Sequence, residues 1–395
     1  MIEFAPRLQG VTTYYFAEKL AQIKEMEKQG VPVINLGIGS PDLLPPSEVI
    51  EKLRSVAHDA GVNMYQSYRS LPTLRAAFTD WYAKHFKVTL DPETELLPLM
   101  GSKEGIMHIA MSFLGEGDQA LVPDPGYPAY AAATELAGAE ALLYPLEKRL
   151  GWRPDLSALS RLDLSKVKIM WLNYPNMPTG ALADPKFFDE LIAFAKANDL
   201  LLCHDNPYAF ILNDHPMSIL ERPEALDHAI ELNSLSKSYN MAGWRVGCLA
   251  GRKDYIDGVL TFKSNMDSGM YKGIQEAAVL ALQQDETWFT TLNDEYRQRG
   301  EWAYGIMELL GCSYEADTAG LFVWAEIPEE KGLAEAYSEE ILIASKVFIT
   351  PGMVFGKQGA KHLRISLCGH IDMFKEAHER IRQAIASKDI HITST

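Results

Sequence analysis

Cysteine is scarce in this chain of 395 residues, which has four scattered copies: Cys203, Cys248, Cys312 and Cys368. They form no CxxC pair and no metal-ligand spacing with histidine, so we predict neither a metal site nor a disulfide framework. Buried free thiols in a reducing compartment are the simpler expectation. Long apolar runs are missing as well. No stretch approaches the roughly 18 residues of a membrane span, and the N-terminus lacks the pattern of a secretion signal. These absences predict a cytoplasmic protein that does not cross a membrane.

Positive charge is also in short supply, because 37 lysines and arginines face 53 aspartates and glutamates. The formal net charge of −16 repels the phosphate backbones of nucleic acids and the surfaces of anionic membranes. We therefore expect no nucleic-acid partner. What is present is an ordinary globular composition, 47% hydrophobic and 23% charged, in a chain long enough for two or three domains.

The middle of the chain alternates short apolar runs with helical patterns, which is typical of βαβ units and of a mainly parallel sheet. Asp184 followed by Pro185 marks the N-terminus of one helix. The predicted strands of this region are residues 168–175, 200–205, 228–236 and 246–251. Outside it we predict a helix at residues 13–30 and strands at residues 321–327 and 362–368.

Several polar side chains follow predicted strands, at the edge where parallel sheets bind ligands. Asp205 ends a buried apolar run, where a carboxylate is costly unless it has a partner. Lys237 lies among small hydroxyl residues, and a half-buried lysine with a lowered pKa acts as an amine nucleophile. Ser102 begins a helical pattern and suits a phosphate. Taken singly, these are more simply a turn-capping carboxylate, a solvated lysine and an N-cap serine.

The same residues are more informative as a set. Pyridoxal phosphate needs a lysine for its aldehyde, a carboxylate for its ring nitrogen, donors for its ring oxygen and an anchor for its phosphate. Lys237, Asp205, Tyr208, Asn176 and Arg245 offer these groups along one expected sheet. The set therefore predicts a pyridoxal-phosphate site.

Six motifs resemble those of the class I/II aminotransferases, the fold-type-I enzymes that use pyridoxal phosphate. They are GSKEG (101–105), PDPGYPAY (123–130), NYPNMPTG (173–180), HDNPY (204–208), SLSKSYNMAGWRVG (234–247) and RIS (364–366). The resemblance implies an α/β fold with a large domain, whose mainly parallel seven-stranded sheet is flanked by helices, and a smaller α+β domain built from both ends of the chain. The implied boundaries are residues 1–46 for the N-terminal part of the small domain, 47–288 for the large domain and 289–395 for the C-terminal part.

The resemblance also implies roles for matching residues around the ring. Lys237 binds the cofactor aldehyde and then moves the substrate proton. Asp205 keeps the ring nitrogen protonated, which makes the ring an electron sink. Tyr208 and Asn176 hydrogen-bond the ring oxygen, and Tyr127 stacks on the ring face.

Other roles concern the phosphate and the substrate. The implied phosphate ligands are Ser102, the backbone of Lys103, Ser234 and Arg245. Arg364 would bind the substrate α-carboxylate through two parallel hydrogen bonds that a lysine could not reproduce. The backbone of Gly39 and the side chain of Asn176 lie beside that carboxylate.

Tyr65 is implied to reach the phosphate of a neighbouring subunit, so the resemblance predicts a homodimer with shared sites. The chain has Ser70 where this segment usually carries glycine, which affects the local turn. Lys103 also departs from the small or hydroxyl residue common at its position, so its side chain is expected to point away from the phosphate.

The motifs are most similar to the branch that contains LL-diaminopimelate and alanine-type aminotransferases. This predicts amino-group transfer from an L-amino acid to a 2-oxo acid, such as 2-oxoglutarate or pyruvate, with ping-pong kinetics. Tyr14, Tyr15 and Phe16 either line the entrance or simply pack as part of a helix. Two alternatives stay open: a carbon–sulfur lyase or synthase of the same fold, and a non-catalytic regulator that senses the cofactor. The net charge of −16 and the lack of an added basic domain disfavour the regulator.

Overall fold

The computed structural model describes residues 2–8 and 15–390 of the chain. Its strands are β1 Ile34–Asn35, β2 Leu96–Leu99, β3 Gln119–Asp124, β4 Glu140–Glu147, β5 Arg153–Pro154, β6 Val167–Leu172, β7 Leu201–Asp205, β8 Ala229–Ser234, β9 Gly247–Ala250, β10 Ser313–Tyr314, β11 Phe322–Glu326, β12 Val347–Phe348, β13 Thr350–Pro351 and β14 His362–Ser366. Its helices are α1 Tyr15–Lys28, α2 Ser47–Val56, α3 Pro72–Phe86, α4 Ser102–Phe113, α5 Ala129–Leu136, α6 Leu156–Leu159, α7 Pro185–Asn198, α8 Ala225–His228, α9 Leu235–Ser238, α10 Lys253–Lys263, α11 Lys272–Leu282, α12 Glu286–Leu309, α13 Ala334–Ser345 and α14 Ile371–Ala386. Over these two ranges, we find no helix with the length and apolar character needed to span a bilayer.

The largest sheet has eight strands in the order β2-β9-β8-β7-β6-β3-β4-β5. The neighbours from β8 to β4 pair in parallel, whereas β9 runs antiparallel to both β8 and β2. The mainly parallel α/β sheet is thus confirmed, with one strand more than the seven predicted. The extra strand is β5, which has two residues and lies antiparallel to β4 at the sheet edge. A strand this short produces no apolar period, so the sequence does not reveal it.

The central strands were the easiest to predict because they are buried on both faces. Every residue of β7 and β8 is buried, as are all but one of β6. Such strands read as continuous apolar runs. Helix α7, which connects β6 to β7, begins where predicted: the Asp184 side chain accepts a hydrogen bond of 2.8 Å from the Phe187 N–H, and Pro185 is the first helical residue. This connection brings the carboxyl ends of β6 and β7 side by side.

Apolar cores cover both faces of this sheet. One core contains Ile106 and Ile109 of α4 with Trp171 of β6. The other contains Phe188 of α7 and Leu202 of β7, and it continues into the C-terminal part of the chain. All four cysteines are free and buried, as the sequence predicts.

The two ends of the chain meet beside the large sheet. Strand β1 pairs in parallel with β12, and Lys19 of α1 forms an ion pair of 2.8 Å with Glu339 of α13. Nearby, the strands β10-β11-β14-β13 form a four-stranded antiparallel sheet. These contacts are those expected of a small domain built from both ends. The boundaries at residues 46 and 288 stay a prediction.

Candidate active site

A cavity of about 540 Å³ opens where β6, β7 and β8 end. It is closed on the opposite side by the loop that follows β1 and by side chains from the four-stranded sheet. The residues predicted from the sequence that line it are Gly39, Ser102, Lys103, Tyr127, Asp205, Tyr208, Ser234, Lys237, Arg245 and Arg364. Ten of the twelve predicted residues therefore converge on one space, and the remaining two, Asn176 and Tyr65, do not line it.

Lys237 lies on α9, immediately after β8, and its side chain is half-buried. Its Nζ donates a hydrogen bond of 2.7 Å to the backbone oxygen of Gly39. Burial lowers the pKa of this amine, and the neighbouring cations Arg364 and Arg245 lower it further. A lysine in this environment loses its proton more easily than a solvated one, as a nucleophile or a base requires.

Asp205 ends β7 with one carboxylate oxygen satisfied and the other not. Its Oδ2 accepts a hydrogen bond of 2.8 Å from the Tyr130 hydroxyl, whereas the buried Oδ1 has no hydrogen-bond partner among the described residues. Burial raises the pKa of this carboxyl to about 6, and the hydrogen bond from Tyr130 opposes the rise. A buried acceptor without a partner is costly. A cationic N–H donor in the cavity would supply the missing hydrogen bond.

Tyr130 was missed in the sequence although it belongs to the motif at residues 123–130. It is fully buried on α5, where its ring stacks on Trp171 with centroids 5.1 Å apart. Tyr127 precedes it by three residues, and the two rings meet edge-on at 5.7 Å. Tyr127 lies before the N-cap of α5, so the two tyrosines do not share a helix face, and membership of the same motif is the signal that could have found Tyr130.

An anion-binding corner lies at the N-terminus of α4. Here Gly101 is the N-cap with φ +86, and Ser102 is the first helical residue rather than the cap itself. The positive φ of Gly101 favours glycine, and a Cβ at this position would lie 2.1 Å from the Arg245 guanidinium, which would have to move. Two serines line the same corner: Ser234 Oγ lies 2.9 Å from Ser236 Oγ. Free helix N–H groups, hydroxyls and a guanidinium are the groups that bind phosphate.

Ser236 was not singled out in the sequence either. Its Oγ lies 3.4 Å from Nη1 of Arg245, which also donates to the backbone oxygen of Ala242 at 2.7 Å. Arg245 itself has a left-handed backbone with φ +58. The two serines that precede Lys237, Ser234 and Ser236, are thus part of one anion site with Arg245.

Arg364 on β14 is buried between two aromatic rings. Its guanidinium carbon lies 4.0 Å from the centre of the Phe322 ring and 4.3 Å from that of Phe355. Its Nη2 donates a hydrogen bond of 2.7 Å to the backbone oxygen of Gly37. The two rings hold the planar group in one orientation. That orientation suits a carboxylate bound beside Lys237.

Tyr208 follows β7 and is buried in the same cavity, where its ring meets Phe322 edge-on at 5.9 Å. Burial raises the pKa of its hydroxyl, and the nearby Arg364 opposes the rise. The phenol therefore stays protonated at neutral pH and can donate a hydrogen bond to an oxygen in the cavity.

Asn176 is buried in its turn and is not among the side chains that line the cavity, and its contacts with the ring oxygen and the substrate stay a prediction. Its Oδ1 accepts a hydrogen bond of 2.7 Å from Thr179, and its Nδ2 donates one of 3.2 Å to the backbone oxygen of Asn173. The amide is used by its own turn. Instead, Asn173 and Met177 line the cavity.

Asn173 and Met177 show what the sequence could and could not reveal here. Asn173 directly follows β6 and donates a hydrogen bond of 2.7 Å to the backbone oxygen of Asp205. Its place after a buried strand, like that of Asp205, could have identified it. Sulfur Sδ of Met177 lies 3.4 Å from Nη1 of Arg364, a contact that no sequence pattern indicates.

A second cavity, of about 660 Å³, adjoins the first. Lys103, Tyr127 and Phe355 line both cavities, and Tyr15 lines the second. Tyr15 is therefore beside the second cavity and not among the residues that line the first, and a role at the entrance stays a prediction. Tyr14 lies outside the described residues, and the side chain of Phe16 is not described.

Tyr65 lies on the surface, with 90% of its side chain exposed, and does not line either cavity. Ser70, in the same segment, adopts φ +64, the left-handed conformation in which glycine is favoured. Ser70 therefore adopts the conformation that glycine usually provides at this position, and the turn forms with serine.

Comparison with known proteins matches this arrangement. The family model for aminotransferase class I and II matches residues 31–381. An LL-diaminopimelate aminotransferase of Dehalococcoides mccartyi is 41% identical over 93% of this chain and 95% of its own length. That of Moorella thermoacetica is 40% identical over 96% and 98%.

Solved structures agree with these sequence relatives. Substrate-bound BacF of Bacillus subtilis superposes with a TM-score of 0.91 at 34% identity, covering 97% of this chain and 98% of its own. A probable N-succinyldiaminopimelate aminotransferase of Thermus thermophilus gives a TM-score of 0.85 at 33% identity, covering 93% and 99%. With the lysine, the carboxylate and the anion-binding corner in one cavity, the chain belongs to the class I and II aminotransferases, which are pyridoxal-phosphate-dependent enzymes.

Proposed function

We propose that this aminotransferase uses Lys237 as its acid–base group, Asp205 as the partner of the cofactor ring nitrogen and Arg364 as the anchor of the substrate α-carboxylate. The observation that carries the proposal is the buried Oδ1 of Asp205, which has no partner among the described residues and belongs to a side chain that lines the cavity shared with Lys237. A protonated pyridine nitrogen supplies the donor that this oxygen lacks. The residues present therefore fit pyridoxal phosphate.

The chain's own groups divide the remaining work. Bound pyridoxal phosphate supplies an aldehyde that condenses with amines and a ring that withdraws electrons from the neighbouring carbon. Ser102, Ser234, Ser236 and Arg245 would hold its phosphate at the N-terminus of α4. The Tyr208 hydroxyl would donate to the ring oxygen, and the Tyr127 ring would cover one face.

Proton movement falls to Lys237. With the substrate carboxylate on Arg364, the α-carbon is held next to the Lys237 amine. The lowered pKa of this amine lets it remove the α-proton of the substrate and then donate that proton on the same face of the bound cofactor. The Gly39 oxygen, which accepts from Nζ at 2.7 Å, keeps the amine in the cavity.

We further infer that the amino donor is LL-diaminopimelate, with 2-oxoglutarate or pyruvate as acceptor. The relatives named above support this donor, since two of them are LL-diaminopimelate aminotransferases at 40–41% identity. The second cavity supports a long substrate, because it extends the site by about 660 Å³. Lys103 lies where the two cavities meet and offers a cation for a distant carboxylate. A cytoplasmic location stays a prediction.

A homodimer with shared sites is part of the proposal. The segments around Tyr65 and Tyr271 carry exposed apolar side chains, among them Met64, Tyr68 and Met266. The two segments are in contact, since a Cβ on Gly269 would lie 2.7 Å from the Gln66 backbone oxygen. A second copy of the chain would cover this face and receive Tyr65 at its phosphate corner.

The activity is tested by mixing purified enzyme with LL-diaminopimelate alone and then adding 2-oxoglutarate. We expect one half-turnover per site in the first step and continuous turnover in the second. Lys237→Ala should abolish both, whereas Lys186→Ala, which removes an exposed lysine on α7, should not. Product release beyond one equivalent without an acceptor would indicate the lyase, and normal turnover by Lys237→Ala would refute the role of Lys237.

Site sharing is tested by mixing two defective variants. In a mixed dimer of Tyr65→Phe with Lys237→Ala, one site has an intact Lys237 and receives an intact Tyr65 from its partner. We expect such mixtures to recover tight cofactor binding that Tyr65→Phe lacks by itself. Unchanged affinity after mixing, or a monomer by light scattering, would contradict the shared site.

A further inference from the structure

His204 and Glu231 form a buried pair directly behind the active site. They lie opposite each other in the parallel pairing of β7 with β8, and both side chains are fully buried. Nδ1 of His204 is 2.9 Å from Oε2 of Glu231. Because side chains alternate along a strand, His204 lies on the face of the sheet opposite to Asp205. The proposed reaction uses neither residue of this pair.

The hydrogen bonds of the pair determine where its protons lie. Nε2 of His204 is 2.9 Å from the backbone oxygen of Tyr174, which can only accept, so Nε2 carries a proton. Glu231 already accepts from the Tyr82 hydroxyl at 3.0 Å and from the Ser218 hydroxyl at 2.9 Å. These donors favour the ionised carboxylate, so Nδ1 of His204 carries the second proton.

The surroundings favour this assignment. The carboxylates of Asp205 and Glu221 interact electrostatically with the pair. The other titratable groups that face Glu231 are the Tyr82 hydroxyl on α3 and the Cys248 thiol on β9. Among the described residues, no lysine or arginine hydrogen-bonds to either member of the pair. Burial disfavours a charge on His204, and the Glu231 carboxylate 2.9 Å away offsets that cost.

The pair joins three segments that build the active site. His204 precedes Asp205 on β7, and Glu231 lies on β8, which leads directly to Lys237. Through Nε2, His204 also holds Tyr174, in the turn that carries Asn173 and Met177. A buried ion pair of this kind adds little net stability but specifies one arrangement of its segments.

We propose that His204 is a positioning residue: as an imidazolium paired with Glu231, it holds the ends of β7 and β8 and the turn at residues 173–180 in the arrangement that binds the cofactor. The proposal rests on the assigned contact between Asp205 and the cofactor ring. Burial and the Glu231 carboxylate raise the pKa of Asp205, and the positive charge of His204 lowers it. A charged His204 therefore helps to keep Asp205 available as an ionised acceptor.

The protonation is tested by nitrogen-15 NMR of histidine-labelled holoenzyme at neutral pH. We expect both ring nitrogens of His204 to carry protons. The signal of His204 is assigned as the one that is lost in His204→Gln. Should that variant not fold, the signal is the one that shifts in Phe188→Leu, because Phe188 meets the His204 ring edge-on at 5.3 Å. A signal with a single protonated nitrogen would overturn the proposal.

The positioning role is tested by the affinity of the apoenzyme for pyridoxal phosphate. We expect His204→Gln and Glu231→Gln each to weaken cofactor binding at least tenfold. The double variant should bind no worse than whichever single variant binds less tightly, because the double variant leaves no unpaired charge. Phe188→Leu, which lowers stability without changing charge, should keep the native affinity. Unchanged cofactor affinity in the single variants would refute the positioning role. So would a loss of affinity in the double variant equal to the product of the two single losses. If the variants do not fold, the NMR result decides.

Asp205→Ala separates this inference from the proposed function. If Asp205→Ala binds the cofactor like the native chain, the proposed site is wrong. If Asp205→Ala binds weakly while His204→Gln binds normally, the site is right and only the role of His204 is wrong.

Discussion

The hydrogen bond from Tyr130 to Asp205 leads to a quantitative prediction. Tyr130→Phe removes one hydroxyl and leaves the ring that stacks on Trp171. A hydrogen bond to a charged group contributes about 1.5–3 kcal/mol, which corresponds to roughly one to two pKa units. Since the pKa of Asp205 is already raised to about 6, we expect it to reach about 7 to 8 in the variant.

The consequence is a loss of cofactor affinity that depends on pH. At pH 7 the ionised fraction of Asp205 should fall from about 90% to between about 50% and 10%. Because only the carboxylate accepts from the protonated ring, the affinity of the apoenzyme for pyridoxal phosphate should fall about two- to tenfold at pH 7. At pH 9 the two proteins should bind nearly equally.

The assay is a titration of apoenzyme with pyridoxal phosphate between pH 5.5 and 9, followed by absorbance. Tyr144→Phe is the matched control, because Tyr144 is also buried but its hydroxyl donates to a neutral backbone oxygen, that of Trp171, at 2.6 Å. Its pH dependence should be native. An affinity loss in Tyr130→Phe that is the same at every pH would refute this account of Asp205.

Three further variants test other parts of the site. Asp205→Asn should raise the free energy of unfolding of the apoenzyme in urea by up to about 3 kcal/mol at pH 7. The pKa of Asp205 is about 6 in the folded chain and 3.8 ordinarily, so ionisation of the carboxyl disfavours folding as the pH rises between these values. The gain should therefore vanish below about pH 4. The same variant should bind cofactor poorly, and a destabilised apoenzyme would contradict the raised pKa. Arg364→Lys should lower kcat/KM about 10- to 100-fold through the loss of a charged hydrogen bond, with native cofactor affinity; a native kcat/KM would exclude Arg364 as the carboxylate anchor. Ser70→Gly should raise the free energy of unfolding in urea by roughly 0.5 to 1 kcal/mol. Glycine relieves the strain of the left-handed φ of +64, and the added freedom of the unfolded chain offsets part of that gain. Clear destabilisation would show that this turn is not strained.

The relation between stability and function is visible at Asp205. A buried carboxylate with one oxygen that has no partner in residues 2–8 and 15–390 is unfavourable for the apoenzyme. It becomes favourable only when a cationic donor enters the cavity. The free energy by which Asp205 destabilises the apoenzyme is therefore a consequence of its proposed role in binding the cofactor.

Much of the site could be predicted from sequence because its residues follow buried strands. Asp205 and Lys237 come directly after β7 and after β8, and parallel strands place such residues at one edge. Continuous apolar runs identify these strands without any knowledge of their partners. The family motifs then assign ten residues that do meet in the cavity.

Other features depended on contacts between segments distant in the chain. Asn176 and Asn173 lie in one turn, and only the folded chain shows that Asn176 accepts a hydrogen bond from Thr179 while Asn173 donates one to the backbone oxygen of Asp205. The stacking of Arg364 between Phe322 and Phe355 joins three separate elements.

The sequence by itself therefore determined the order of strands and helices, the class of chemistry and the residue types at each strand end, since these follow from local apolar periodicity and from motifs. The tertiary structure alone decided which of the neighbouring polar groups line the cavity, and that one oxygen of Asp205 lacks a partner among the residues the structure describes. It also decided that His204 is enclosed by acceptors. These depend on packing between β7, β8 and the turn at residues 173–180, and neither periodicity nor spacing along the chain encodes the distances between them.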